Sequence, residues 1–125
     1  MTASIQYGEE ATPRTATQLP EPSGFRLLIA LPQVEETTEG GIFIPEERRK
    51  AETVASIVGC VLGLGPDAYS DEKRFPNGPW CKKGDWIVMR AYSGTRLMIH
   101  GKEFRIINDD SVEAVVDDPR GVSRA

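Results

Sequence analysis

The apolar residues of this chain come in short runs, and almost every run is closed by glycine or proline. "GFRLLIALP" stops at Pro32, "SIVGCVLGLGP" at Pro66, "GDWIVMRA" starts after Gly84, and "TRLMIHGKEFRII" bends at His100-Gly101. Runs this short predict an all-β chain of about six strands with no long helix. The strands fall at Phe25 to Leu31, Ser56 to Leu64 and Trp86 to Ala91, on both sides of His100-Gly101, and near Val112 to Val116 after a turn at Asn108-Asp109-Asp110. Phe25 to Leu31 is apolar on both faces apart from Arg26, which predicts a strand covered on two sides. A small barrel or sandwich is the expected architecture.

Two polar stretches interrupt this pattern. "QVEETTEGGIFIPEERRKAET" separates the first two strands, and loops of that length inside a compact domain are usually functional or disordered. Within it Ile42, Phe43 and Ile44 stand together, with Gly40-Gly41 before them and Pro45 behind. On its own the triplet reads equally as a short core strand. Pro45 followed by Glu46 and Glu47 predicts a short helix reaching Ala51. The second stretch, "DAYSDEKRFPNGPW", carries the turn chemistry of Pro-Asn-Gly-Pro. Residues 1–23, rich in Pro, Thr and Glu, are expected to form a flexible extension, and residues 119–125 a flexible tail.

With 125 residues the chain suits one domain and a single modest core. A net charge of -4 argues against nucleic acid or an anionic membrane as the main partner. The longest apolar run, Ile57 to Leu64, is far too short to span a bilayer. No signal peptide is evident at the N-terminus, so the expected location is cytoplasmic, with Cys60 and Cys81 as reduced thiols.

Catalytic and metal-binding patterns are missing. Cys60, Cys81 and His100 are far apart, with no CxxC pair. The single histidine leaves no obvious Ser-His-Asp or Cys-His arrangement. "GLG" at Gly63 to Gly65 lacks the third glycine of a dinucleotide fingerprint and the Lys-Ser/Thr of a P-loop. The acidic pairs Asp109-Asp110 and Asp117-Asp118 read as solvated turn residues, and "EERRK" and "EKR" as mixed-charge solvated faces. No enzyme and no cofactor is expected.

Taken in order, "GFRLLIALPQVEETTEGGIFIPEE", "GCVLGLGP" and "KKGDWIVMRAYSGTRLMIHGKEFRIINDDSVEAVV" resemble the GroES/Cpn10 co-chaperonins. The resemblance runs from Gly24 to Asp117. It is specific as an ordered set, although Gly-Gly-Ile and Lys-Gly-Asp are weak motifs alone. It implies a GroES-like β-barrel over residues 24–118, with a mobile loop at 34–53 and a roof hairpin whose loop is 66–82, assembled into a homoheptameric ring. In that reading Gly40, Gly41, Ile42, Phe43, Ile44 and Pro45 dock on a GroEL-like chaperonin, which binds the ATP. Phe25, Leu27 and Ile29 meet Val112, Ala114 and Val116 of a neighbouring subunit, and Tyr92 lines the folding cavity for unfolded substrate proteins.

Three features depart from the family pattern, in the manner of divergent or virus-encoded members. Phe43 replaces a smaller aliphatic residue, Gly41 to Gly59 is lengthened, and residues 1–23 have no counterpart. Two other readings compete: a monomeric small β-barrel that binds nucleic acid, and the catalytic domain of a zinc alcohol dehydrogenase. The first lacks a basic and aromatic cluster; the second lacks a nucleotide-binding half and zinc ligands. Native mass separates a ring from either.

Overall fold

A computed structural model describes residues 19–32, 45–48 and 56–125. Among the described residues, the regular structure is almost entirely β. Strands β1 (Arg26–Ala30), β2 (Val58–Leu64), β3 (Trp86–Val88), β4 (Thr95–Ile99), β5 (Lys102–Asn108) and β6 (Ala114–Val116) form one antiparallel sheet. Its order is β4-β5-β1-β2-β3-β6. A 3-10 turn, Asp109–Ser111, joins β5 to β6. The only other helical residues described are 46–48, directly behind Pro45; the rest of the expected short helix, to Ala51, lies outside the described residues.

Local chemistry accounts for the tightest connection. Ile99 pairs with Lys102, so β4 and β5 are joined by His100 and Gly101 alone, at φ 50 and φ 80. Two consecutive left-handed residues are what a type I′ hairpin turn requires. Between β1 and β2 the register slips: Leu28 faces Gly63 but Ile29 faces Val61, leaving Leu62 as the extra residue of a β-bulge.

The core gathers on one face. Leu27, Ile29, Val61, Ile87, Met89 and Ile107 are all nearly or wholly buried there, each burial contributing about 1.5–3 kcal/mol. Leu28 points the opposite way yet is also buried, at 2% exposure, so β1 is covered on both sides as its composition predicts. Leu19, Pro20 and Pro22, from the stretch expected to be a flexible extension, line a groove of about 460 Å³ with Leu28, Leu62 and Leu64.

Residues 66–82 form successive turns with no paired strands. Pro66, Pro76 and Pro79 cannot donate to a ladder, and the segment folds instead around its own aromatic rings. Tyr69, Phe75 and Trp80 pack with centroids 4.9 to 5.9 Å apart. Tyr69 and Phe75 join the main core.

Candidate functional site

The docking residues expected in the first polar stretch meet the structure only at its two stems. Gly40, Gly41, Ile42, Phe43 and Ile44 lie outside the described residues, and Pro45 is exposed. The outgoing stem is rooted by Leu31, 7% exposed and part of the core. On the returning side the Ser56 hydroxyl donates to the Val58 carbonyl at 3.0 Å, and Met89 N–H donates to the Ile57 carbonyl at 2.8 Å. Ala30 pairs with Cys60 across β1 and β2. Both stems are thus anchored in adjacent strands, which gives the intervening stretch a firm base.

The expected subunit contacts separate into two groups. Leu27, Ile29 and Val112 are 0%, 0% and 6% exposed and belong to the core of one subunit. Their expected place at the subunit interface is therefore corrected. β1 is hydrogen-bonded to β5 on one side and β2 on the other, so it has no unpaired edge to offer a second chain. Phe25 (42% exposed) and Ala114 do lie at the surface, and Val116 is half-buried. Among the described residues β6 pairs only with β3 and ends the sheet, as β4 does at the opposite side. Val115, 47% exposed on β6, was not among the expected contacts. Its signal is the unbroken apolar "AVV", which alternation alone does not assign to a face.

Tyr92 stands in the turn after β3, at φ 63 and 58% exposed. The Lys-Lys-Gly-Asp turn is built by Asp85: its Oδ2 accepts the Lys82 N–H at 2.9 Å, and its Oδ1 faces the Lys82 ammonium at 3.2 Å. These bonds hold the Asp85 carboxyl below the ordinary carboxylate range, the backbone bond having the larger effect. Gly84 N–H donates to the Val61 carbonyl at 2.8 Å, docking the turn on β2.

One constellation has no counterpart in the sequence reading. Tyr69 N–H donates to Asp109 Oδ2 at 3.0 Å, and the Tyr69 hydroxyl donates to the Asp109 carbonyl at 2.8 Å. Asp109 is 2% exposed, not the solvated turn residue its position suggests. The same hydroxyl lies 3.4 Å from Cys81 Sγ. Burial pushes up the thiols of Cys60 and Cys81 and the Tyr69 hydroxyl, so all three stay protonated at neutral pH and the thiols are weak nucleophiles. On β5, the fully buried Arg105 sits 3.3 Å from Glu103, which also faces Arg96 at 3.5 Å. Among the described residues no cluster of three or more His, Cys, Asp or Glu is placed to hold a metal ion. No described helix is long and apolar enough to cross a membrane.

Among the described residues, one six-stranded antiparallel sheet with almost no helix defines a small all-β module. Residues 21–116 match the family "Chaperonin 10 Kd subunit" (Cpn10), and the chain belongs to that family. It is 33% identical to the co-chaperonin GroES of Caldicellulosiruptor saccharolyticus over 97 residues, covering 78% of this chain and 96% of that one. The co-chaperonin GroES of Methylacidiphilum infernorum is 32% identical, covering 77% and 92%. That of Clostridium botulinum is 32% identical, covering 77% and 95%.

Proposed function

We propose that this chain is a co-chaperonin, and that it caps an ATP-bound, GroEL-like chaperonin ring through Ile42, Phe43 and Ile44. The observation that carries the reading is the family match across residues 21–116, which includes the whole insertion between two anchored stems. Gly40 and Gly41 let the backbone turn beside the apolar anchors, and Pro45 ends the contact. ATP is held and hydrolysed by the partner. This chain acts as a lid, without a cofactor and without catalysis of its own, in the cytoplasm, over a chamber in which Tyr92 faces unfolded substrate.

Energetics favour a ring. Burying three such side chains yields roughly 5–9 kcal/mol gross. Ordering each loop residue costs about 1–2 kcal/mol. One loop alone therefore binds in the millimolar class, near -4 kcal/mol. Several loops on one rigid body convert that weak contact into tight but reversible capping through effective concentration. The ring, of about seven subunits, closes through the outer edge of β6, with Val115 exposed beside it, and through the Phe25 end of β1. An unpaired strand edge accepts a partner strand readily.

Native mass spectrometry, followed by co-sedimentation with a GroEL-like ring with and without ATP, tests the proposal. A ring of about seven copies that binds only with nucleotide supports it. A monomer that ignores the chaperonin in both conditions refutes it.

A further inference from the structure

We infer that Asp109 is a positioning residue that couples the 66–82 segment to the surfaces through which subunits assemble; the inference rests on the ring reading above. Three separate parts of the chain meet at this residue. Asp109 N–H donates to the Phe25 carbonyl at 3.0 Å, fixing the end of β1 where Phe25 is exposed. Its carboxylate and its carbonyl take both hydrogen bonds of Tyr69. Beyond it, Val112 is buried and Glu113 N–H donates to the Val88 carbonyl at 2.8 Å, which sets β6 against β3.

Tyr69 in turn carries the 66–82 segment. Its backbone is left-handed, at φ 59, an unfavourable conformation for a bulky residue that its hydrogen bonds and packing offset. Its ring contacts Phe75 and Trp80, and Arg74 adds an ion pair to Asp110 next door. Displacing Tyr69 therefore shifts Asp109, and with it both Phe25 and the edge strand. Val61 belongs to the same core but takes no part in the Phe25–Asp109–Tyr69 hydrogen bonds, its own loop bonds going to Gly84 and Asp85.

Asp109→Ala removes the acceptor of the Tyr69 N–H, whereas Asp109→Asn keeps a carbonyl oxygen there. Val61→Ala serves as a control for loss of stability alone. The readout is the concentration at which the ring falls apart, by analytical ultracentrifugation, at a temperature where every variant is folded by circular dichroism. Leaving the buried Tyr69 N–H without its acceptor predicts dissociation at about tenfold higher concentration or more for Asp109→Ala. Asp109→Asn is expected to stay near wild type, and Val61→Ala to dissociate no more readily than its loss of melting temperature explains. Should Asp109→Ala not fold, Tyr69→Phe, which loses only the hydroxyl bonds, is judged against Val61→Ala in the same way. Equal dissociation of Asp109→Ala (or, if it does not fold, Tyr69→Phe) and Val61→Ala at matched melting temperature overturns the inference. A wild-type chain that is monomeric from the outset overturns the ring reading instead.

Discussion

At the scale of single residues, backbone geometry and charge make the firmest demands. Gly94 has φ +76, and a Cβ placed there would lie 2.4 Å from the Ile106 carbonyl oxygen. Gly94→Ala is expected to cost about 1–3 kcal/mol, read as a lower denaturation midpoint; an unchanged midpoint would contradict the tight approach of this turn to β5. The lowered carboxyl of Asp85 makes a pH prediction. A depressed folded-state value contributes stability above the unfolded value of about 4, and that stability is lost as pH falls through the folded one. Denaturation across this acid range should show the wild type losing stability more steeply than Asp85→Asn, and parallel curves would count against the turn. Such residues were partly legible in advance. His100-Gly101 announced its hairpin by residue type alone. Asp109 did not, because an acidic residue after Asn in a turn normally points to water, and its burial depends on Tyr69, 40 positions away.

Elements follow the same division between local and distant causes. All six strands were readable from apolar runs and their glycine or proline stops, since those signals lie within the run itself. Strand neighbours were not readable. β1 looked like an edge available to another subunit, but its pairing with β5 joins residues far apart in the chain, such as Leu27 and Ile107. In the 66–82 segment the prolines mark the turns, but residue types alone do not reveal that three rings pack together. Removing residues after Glu113 acts on β3, not on β1. It strips β6 from Trp86, Ile87 and Val88, so both ring formation and melting temperature should fall, and a truncated chain that sediments as the full oligomer would refute the assembly edge. For the insertion, limited proteolysis is expected to cut first at Arg48, Arg49 or Lys50, with protection when the chaperonin is bound. Resistance equal to that of the strands would contradict a mobile loop.

For the whole molecule, the central claim is a separation of duties. In the proposed function the sheet and the 66–82 segment build the subunit, and Ile42, Phe43 and Ile44 dock on the chaperonin without contributing to the subunit's core. In that proposal each contact is weak and is repeated around a ring, so a small loss per loop is multiplied. Ile44→Asp tests this most directly. A carboxylate in an apolar groove forfeits at least the roughly 1.5–3 kcal/mol of the isoleucine, and burying it unpaired costs more. Melting temperature and native mass are measured beside ATP-dependent binding to the chaperonin ring. The account predicts unchanged stability and mass with binding abolished; a destabilised subunit, or a folded variant that still binds fully, would contradict it.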